Sequence, residues 1–302
     1  MIETFRAKPL NMELVVKNIV DGIGKYVDDN RLKCCILGIS GGIDSTVTAA
    51  LCKMAKVPLI GVSLPCSTNE ACEKSAAALV GEEFCNDFKE VNLESMFTAM
   101  KNFCDHSVSG MESTPISQGN IKARLRMITL YDIASKSQGI VIDTDNLTEN
   151  FLGFFTIHGD CCDFNPIGGL WKHEVYALAR YLKDNVFKDS KALEASISLI
   201  PTDGNGVAAG GDLAQIAPGN TYDDVDEILN RWVGLDPRVK EVILRDDFEY
   251  GVFKNLCEKH GKDTVKKVIM RSVNSEFKRK HLPIVIDVYR GHICEKNGKI
   301  IS

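Results

Sequence analysis

An apolar run, Cys34-Cys35-Ile36-Leu37, passes directly into Gly38-Ile39-Ser40-Gly41-Gly42-Ile43-Asp44-Ser45. Thr46 to Met54 follows, with Val47, Ala50, Leu51 and Met54 at helical spacing. The order predicts a buried strand, a glycine turn and a helix, and that unit is an anion site. Paired glycines bring backbone N–H groups close to a phosphate, and the helix N-terminus adds its partial positive charge. Ser40 and Ser45 supply hydroxyl donors.

A kinase-type phosphate loop ends in a lysine that reaches the terminal phosphates. This loop has none and carries Asp44 where the phosphates would lie. A carboxylate there repels phosphate unless a divalent cation stands between them. The loop resembles the SGGxDS signature of the ATP pyrophosphatases, which split ATP between its α- and β-phosphates. Both serines, both glycines and the aspartate fall at the signature's fixed positions.

The rest of the first half alternates strand and helix patterns. Met12 to Val27 reads as an amphipathic helix, Pro58 to Ser63 as a strand, and Asn69 to Val80 as a helix capped by Asn69. A strand near Phe88 to Val91 and a helix from Leu93 to Phe103 follow, then a polar loop from Asp105 to Ser117. Asn120 to Ser135 reads as a helix and Gly139 to Asp143 as a strand. The alternation predicts an α/β fold with a doubly wound, mainly parallel sheet flanked by helices, its ligand beyond the C-terminal strand ends. The loops Ser40–Ser45 and Asp143–Glu149 would share that edge. Gly204 to Asn220 is glycine-rich and reads as a mobile loop. The part from Tyr222 onwards reads as helical, with a strand around Ile284 to Tyr289. One domain over residues 1–302 is expected.

A net charge of −5 gives no general basic surface, so a nucleic-acid partner is not expected. No stretch reaches the roughly 18 apolar residues that span a bilayer. The eleven cysteines are an odd number without a Cys-x-x-Cys spacing or a preceding signal peptide. They read as reduced thiols of a cytoplasmic protein.

Four further blocks are GNIKARLRM (Gly119 to Met127), DTDNLTE (Asp143 to Glu149), FFTIHGD (Phe154 to Asp160) and NPIGGLWKHEVYALARYL (Asn165 to Leu182). With SGGIDS upstream and FKRKHLP (Phe277 to Pro283) downstream, they resemble the NAD synthetases, in the short form that uses ammonia. The resemblance covers roughly residues 30 to 185. It implies the adenine nucleotide alpha-hydrolase-like, Rossmann-like fold, and deamido-NAD, ATP and ammonia as substrates, with Mg2+ as cofactor and a homodimer as assembly. The nicotinate carboxylate would attack the ATP α-phosphate, and ammonia would then displace AMP.

Carried over residue by residue, the resemblance assigns Gly38, Ile39, Ser40, Gly41, Gly42, Ile43, Asp44 and Ser45 to the ATP loop. Thr144 and Thr202 become ATP contacts, and Lys172 a point charge on the phosphates. Asp44 and Glu149 become the magnesium ligands. Arg124, Asp163, Lys278 and Arg279 become contacts of the dinucleotide, and Asp44, Lys172 and Asp163 the catalytic set. Arg124 and Arg126 fall on different helix faces, so one can meet a ligand while the other is solvated. The chain departs from the family pattern at Ile157-His158, where lysine-tyrosine is usual, at Cys161-Cys162 and at Phe277. His158 is read as a satisfied core histidine, and Gly204–Asn220 as a lid that orders on binding. Two other readings share the loop: an enzyme that adenylates another acceptor, as in GMP synthetase-like or tRNA-modifying proteins, and a non-catalytic nucleotide-binding subunit.

Overall fold

The structure, a computed structural model, describes residues 8–66, 71–107, 111–199, 213, 216–249, 251–279, 294–296 and 299–301. Thr202, Asn69 and the strand expected at 284–289 lie outside them. Four parallel strands form the central sheet: β1 (Cys35–Gly38), β2 (Leu59–Ser63), β3 (Asp87–Glu90) and β4 (Ile140–Ile142), in the order β3-β2-β1-β4. Cys35 stands opposite Leu59 on one side and Ile140 on the other. A parallel bridge from Ile142 to Phe164 extends the β4 edge.

Both faces of the sheet are covered, which is why β1 and β4 read as continuous apolar runs rather than alternating ones. Cys35, Leu37, Leu59, Ile140 and Ile142 face α1 (Met12–Asp29), α2 (Ile43–Met54), α3 (Ala71–Phe84), α7 (Lys172–Asn185) and α8 (Lys191–Ser198). Cys34, Ile36, Val62 and Val141 face the other way, against Phe97 of α4 (Glu94–Ser107) and Leu125, Leu130 and Ala134 of α5 (Pro115–Ser137). Leu37, Val47 and Leu51 have no solvent exposure, and each such burial contributes about 1.5–3 kcal/mol.

A second core gathers α6 (Leu147–Leu152), α9 (Tyr222–Val233), α10 (Pro237–Arg245), α11 (Gly251–His260) and α12 (Lys262–Asn274) around Trp171, Ile228, Trp232, Phe253 and Val268. A 3-10 turn (Glu276–Arg279) follows α12, and β5 (Cys294–Lys296) pairs antiparallel with β6 (Lys299–Ile301). No helix among the described residues is long and apolar enough to cross a membrane.

Three expectations are corrected. The polar stretch 105–117 is not all loop: α4 runs to Ser107, and α5 starts at Pro115. Thr114 accepts the Ser117 amide at 3.1 Å, Ser117 Oγ accepts the Thr114 amide at 2.8 Å, and Pro115 takes the first helical position. The polar loop after β4 turns into α6 at Leu147, where Asn146 and Glu149 form a second reciprocal cap. The glycine-rich segment 204–220 is not loose at its far end: Ile216 and Ala217 are buried in the second core, with Leu213 packed beside them.

Candidate active site

In the strand order β3-β2-β1-β4 the winding of the parallel sheet reverses between β1 and β4, and in sheets of this kind the ligand crevice lies beyond the strand ends at such a point. The loop after β1 and the start of α6 after β4 flank it. Gly41 has φ +83°, a left-handed conformation that favours glycine. Gly42 is extended and caps α2 without a side chain. The helix therefore begins at Ile43, earlier than its apolar spacing suggests, with Asp44 in its first turn. Ser40 Oγ accepts the Gly42 amide at 3.1 Å and lies 3.1 Å from Ser45 Oγ. Ser40 is exposed at the mouth of the crevice and Ser45 is buried below it.

Asp44, Glu149 and Lys172 meet in this crevice although 128 positions separate the first from the last. Lys172 Nζ stands 2.5 Å from Asp44 Oδ2 and 3.0 Å from Glu149 Oε1. Asn146, the cap of α6, donates from Nδ2 to Asp44 Oδ1 at 2.9 Å, and its backbone N–H donates to Glu149 Oε2 at 3.1 Å. The Lys172 side chain is only 5% exposed. Its ammonium also lies 5.6 Å from the Tyr222 ring centroid.

Burial pulls the Lys172 pKa down; the charges of Asp44 and Glu149 outweigh it and raise the pKa well above that of a free lysine. Glu149 moves the other way from an ordinary carboxylate. Burial pushes its pKa up to about 7, with Lys172 opposing the rise and Asp44 adding to it. Two carboxylates converging on one cationic nitrogen are a hard-oxygen donor set that suits a divalent cation, with other positions left for phosphate oxygens and water. Asp143, Asp145 and Cys161 also bring donor atoms within 4.8 Å of one another. That trio fits a cation less well. Burial and nearby carboxylates push the Cys161 thiol up to about 12, and Asp143 already accepts the Asp145 and Cys162 amides at 2.7 and 3.0 Å.

The other expected residues lie around this centre with different surroundings. Thr144 is half-buried just past β4. Arg124 is exposed on α5 and donates to the Ile157 carbonyl at 3.2 Å. Asp163 lies at the β4 edge, accepting the Tyr131 hydroxyl at 2.7 Å and the Val141 amide at 3.3 Å. Lys278 donates to the carbonyls of Gly153 and Phe155 at 2.7 and 2.6 Å. Arg279 donates to Phe151 O at 2.9 Å and Ser272 O at 2.7 Å. Both side chains therefore hold the C-terminal end of α6, where helix carbonyls lack intrahelical partners. His158 is no core residue: it is exposed with φ +57°, because the turn around Gly159 points it outward. Sequence reasoning passed over Asn146, although its spacing to Glu149 is that of a capping box.

A family model described as NAD synthase matches residues 15–281. The chain belongs to the NAD synthase family. Members are ligases that form a C–N bond with ATP as co-substrate. The NH(3)-dependent NAD(+) synthetase of Wolinella succinogenes is 30% identical over 278 residues, covering 91% of this chain and 96% of that one. The solved NH3-dependent NAD synthetase of Campylobacter jejuni, a complex with nitrate, superposes with a TM-score of 0.66 at 26% identity, over 92% of this chain and 100% of that one. The NMN synthetase of Francisella tularensis superposes with a TM-score of 0.72 over 92% and 99% of the two chains. At 22% identity it speaks to the fold alone.

Proposed function

We propose that this chain amidates deamido-NAD with ammonia at the expense of ATP, releasing AMP and pyrophosphate. The observation that carries the reading is the meeting of Asp44, Glu149 and Lys172 at the mouth of the Gly38–Ser45 loop. A carboxylate is a poor electrophile, so the nicotinate oxygen first bonds to the ATP α-phosphorus as the bond to pyrophosphate breaks. Ammonia then adds to the activated carbonyl, a proton departs, and AMP leaves with the former carboxylate oxygen.

The amides at the start of α2 and the Ser40 and Ser45 hydroxyls bind the phosphates, and Lys172 adds a buried point charge. A magnesium ion would be held by Asp44 and Glu149 and would neutralise the triphosphate and the departing pyrophosphate. Thr144 and Thr202 serve the nucleotide, and Arg124 faces the dinucleotide. Asp163, Lys278 and Arg279 would reach the dinucleotide only by exchanging the partners they now hold. The chain acts as one unit, because Leu147, Leu152 and Trp171 from its middle complete the core of its C-terminal helices.

The family's homodimer is supported by an apolar face. Met96, Met100 and Phe103 form one stripe of α4 and are 55%, 38% and 68% exposed, and Ile116 on the adjoining α5 is 65% exposed. An exposed face of this kind suits a second copy better than water. Replacing Met100 and Phe103 together by glutamate should halve the mass seen by light scattering; an unchanged mass rejects this face. Free cysteines, Cys34 and Cys35 among them, suit the reducing cytoplasm.

The test is a product assay with ATP, magnesium and ammonium or glutamine, offering deamido-NAD or nicotinic acid mononucleotide as acceptor. NAD, AMP and pyrophosphate in equal amounts from ammonium are expected. Amidation of the mononucleotide alone would reassign the substrate, and pyrophosphate without either amide would reassign the acceptor class.

A further inference from the structure

Asp226 belongs to the acidic run Tyr222-Asp223-Asp224-Val225-Asp226-Glu227, which reads as a solvated helix face. Yet it is fully buried. It follows Tyr222 by four residues, so both project from one side of α9 toward α6 and α7. Among the described residues its one ion pair is with His173. Its oxygens accept from Thr148 Oγ1 at 2.5 Å, from the His173 backbone N–H at 2.9 Å and from His173 Nδ1 at 2.9 Å.

Thr148 passes the contact on. Its hydroxyl donates to Asp226 and accepts the Lys172 backbone N–H at 2.8 Å. One residue earlier, the Trp171 amide donates to Glu174 Oε2 at 2.8 Å. Three successive amides at the start of α7, which lack partners within the helix, are thus each held by a side chain. The middle one belongs to the lysine that stands between Asp44 and Glu149.

We propose that Asp226 is a positioning residue for Lys172. It fixes the first turn of α7 through Thr148 and the His173 amide, and so sets where the Lys172 ammonium stands. The proposal rests on the reading that Lys172 serves phosphate chemistry. It makes α9 part of the catalytic apparatus without contact to substrate. Tyr222, whose ring lies near the same ammonium, brings the start of α9 to the site as well. A backbone shift of about 1 Å in this turn suffices to cost about 10²-fold in rate.

Asparagine has nearly the shape of aspartate but offers one acceptor and one donor group, and three donors converge at this point. The experiment is a double-mutant cycle of Asp226→Asn and Lys172→Met, reading pyrophosphate release with ATP, magnesium, deamido-NAD and ammonium. Asp226→Asn alone should lower kcat by about 30-fold or more and change the KM for ATP less than about 3-fold. In the Lys172→Met background the same change should cost less than about 2-fold. Equal losses in both backgrounds, or a raised KM with unchanged kcat, overturn the proposal. If Asp226→Asn melts before assay temperature, Thr148→Val carries the same cycle. Amide hydrogen exchange supplies a readout independent of the reaction: exchange at Lys172 should be faster in Asp226→Asn than in the wild type, and unchanged exchange rejects the link through Thr148. A wild type that forms no NAD overturns the functional reading instead, and the exchange result then decides the positioning link.

Discussion

Asp44→Asn is expected to lower pyrophosphate release by at least about 10³-fold, the largest effect of any single change in this chain. The substitution keeps side-chain volume but withdraws the charge on which three interactions converge. Lys172 loses its closest partner at 2.5 Å, Asn146 competes with Lys172 for the remaining acceptor, and the proposed magnesium ion loses one of its two carboxylates. Folding should survive. Asp44 fills no core space, and Glu149 still pairs with the buried Lys172 ammonium, so the cost should stay below the roughly 3–5 kcal/mol of a buried charge left without any partner. A melting curve beside a coupled pyrophosphate assay separates the two. Turnover within tenfold of the wild type would remove Asp44 from the chemistry.

Lys172→Met should lower kcat and kcat/KM together by about 10²–10³-fold, as expected for a charge used mainly in the transition state. It should also destabilise the protein, because Asp44 and Glu149 then face each other uncompensated; breaking a buried pair costs about 3–5 kcal/mol. The deficit depends on pH, and its sign follows from Glu149. Its folded pKa of about 7 exceeds the ordinary 4.5, and losing Lys172 raises it further. The protonated form favours the fold, so stability is lost as pH rises from 4.5 through the folded pKa. The variant should therefore lie nearest to the wild type at about pH 5 and fall progressively behind above pH 7. Melting temperatures across that range test this, and a constant gap would contradict the account.

Much of the site was legible because its residues cluster in short motifs tied to strand ends. The glycine turn after Leu37 announced both the phosphate loop and the sheet edge, and the polar stretch after Ile142 announced the opposite wall. The order of strands was not written locally, since it depends on which way each crossover runs. Helix α6 was missed because six residues with two buried leucines give too little periodicity, yet the Asn146–Glu149 cap was there to be read. Lys278 and Arg279 look like a solvated or phosphate-binding pair in sequence. Only the fold reveals that the end of α6 presents carbonyls to them. Asp226 was hidden for the opposite reason. It sits among surface acids, and the one signal was its place on the stripe that carries Val225, Ile228, Leu229 and Trp232.

The central claim is that the nicotinate carboxylate itself attacks the α-phosphorus. It is tested most directly by following oxygen. Deamido-NAD labelled with 18O in that carboxylate is turned over with ATP, magnesium and ammonium, and the products are weighed by mass spectrometry. One labelled oxygen should appear in the phosphate of AMP for each NAD formed. Label in pyrophosphate or water, with none in AMP, would contradict the account.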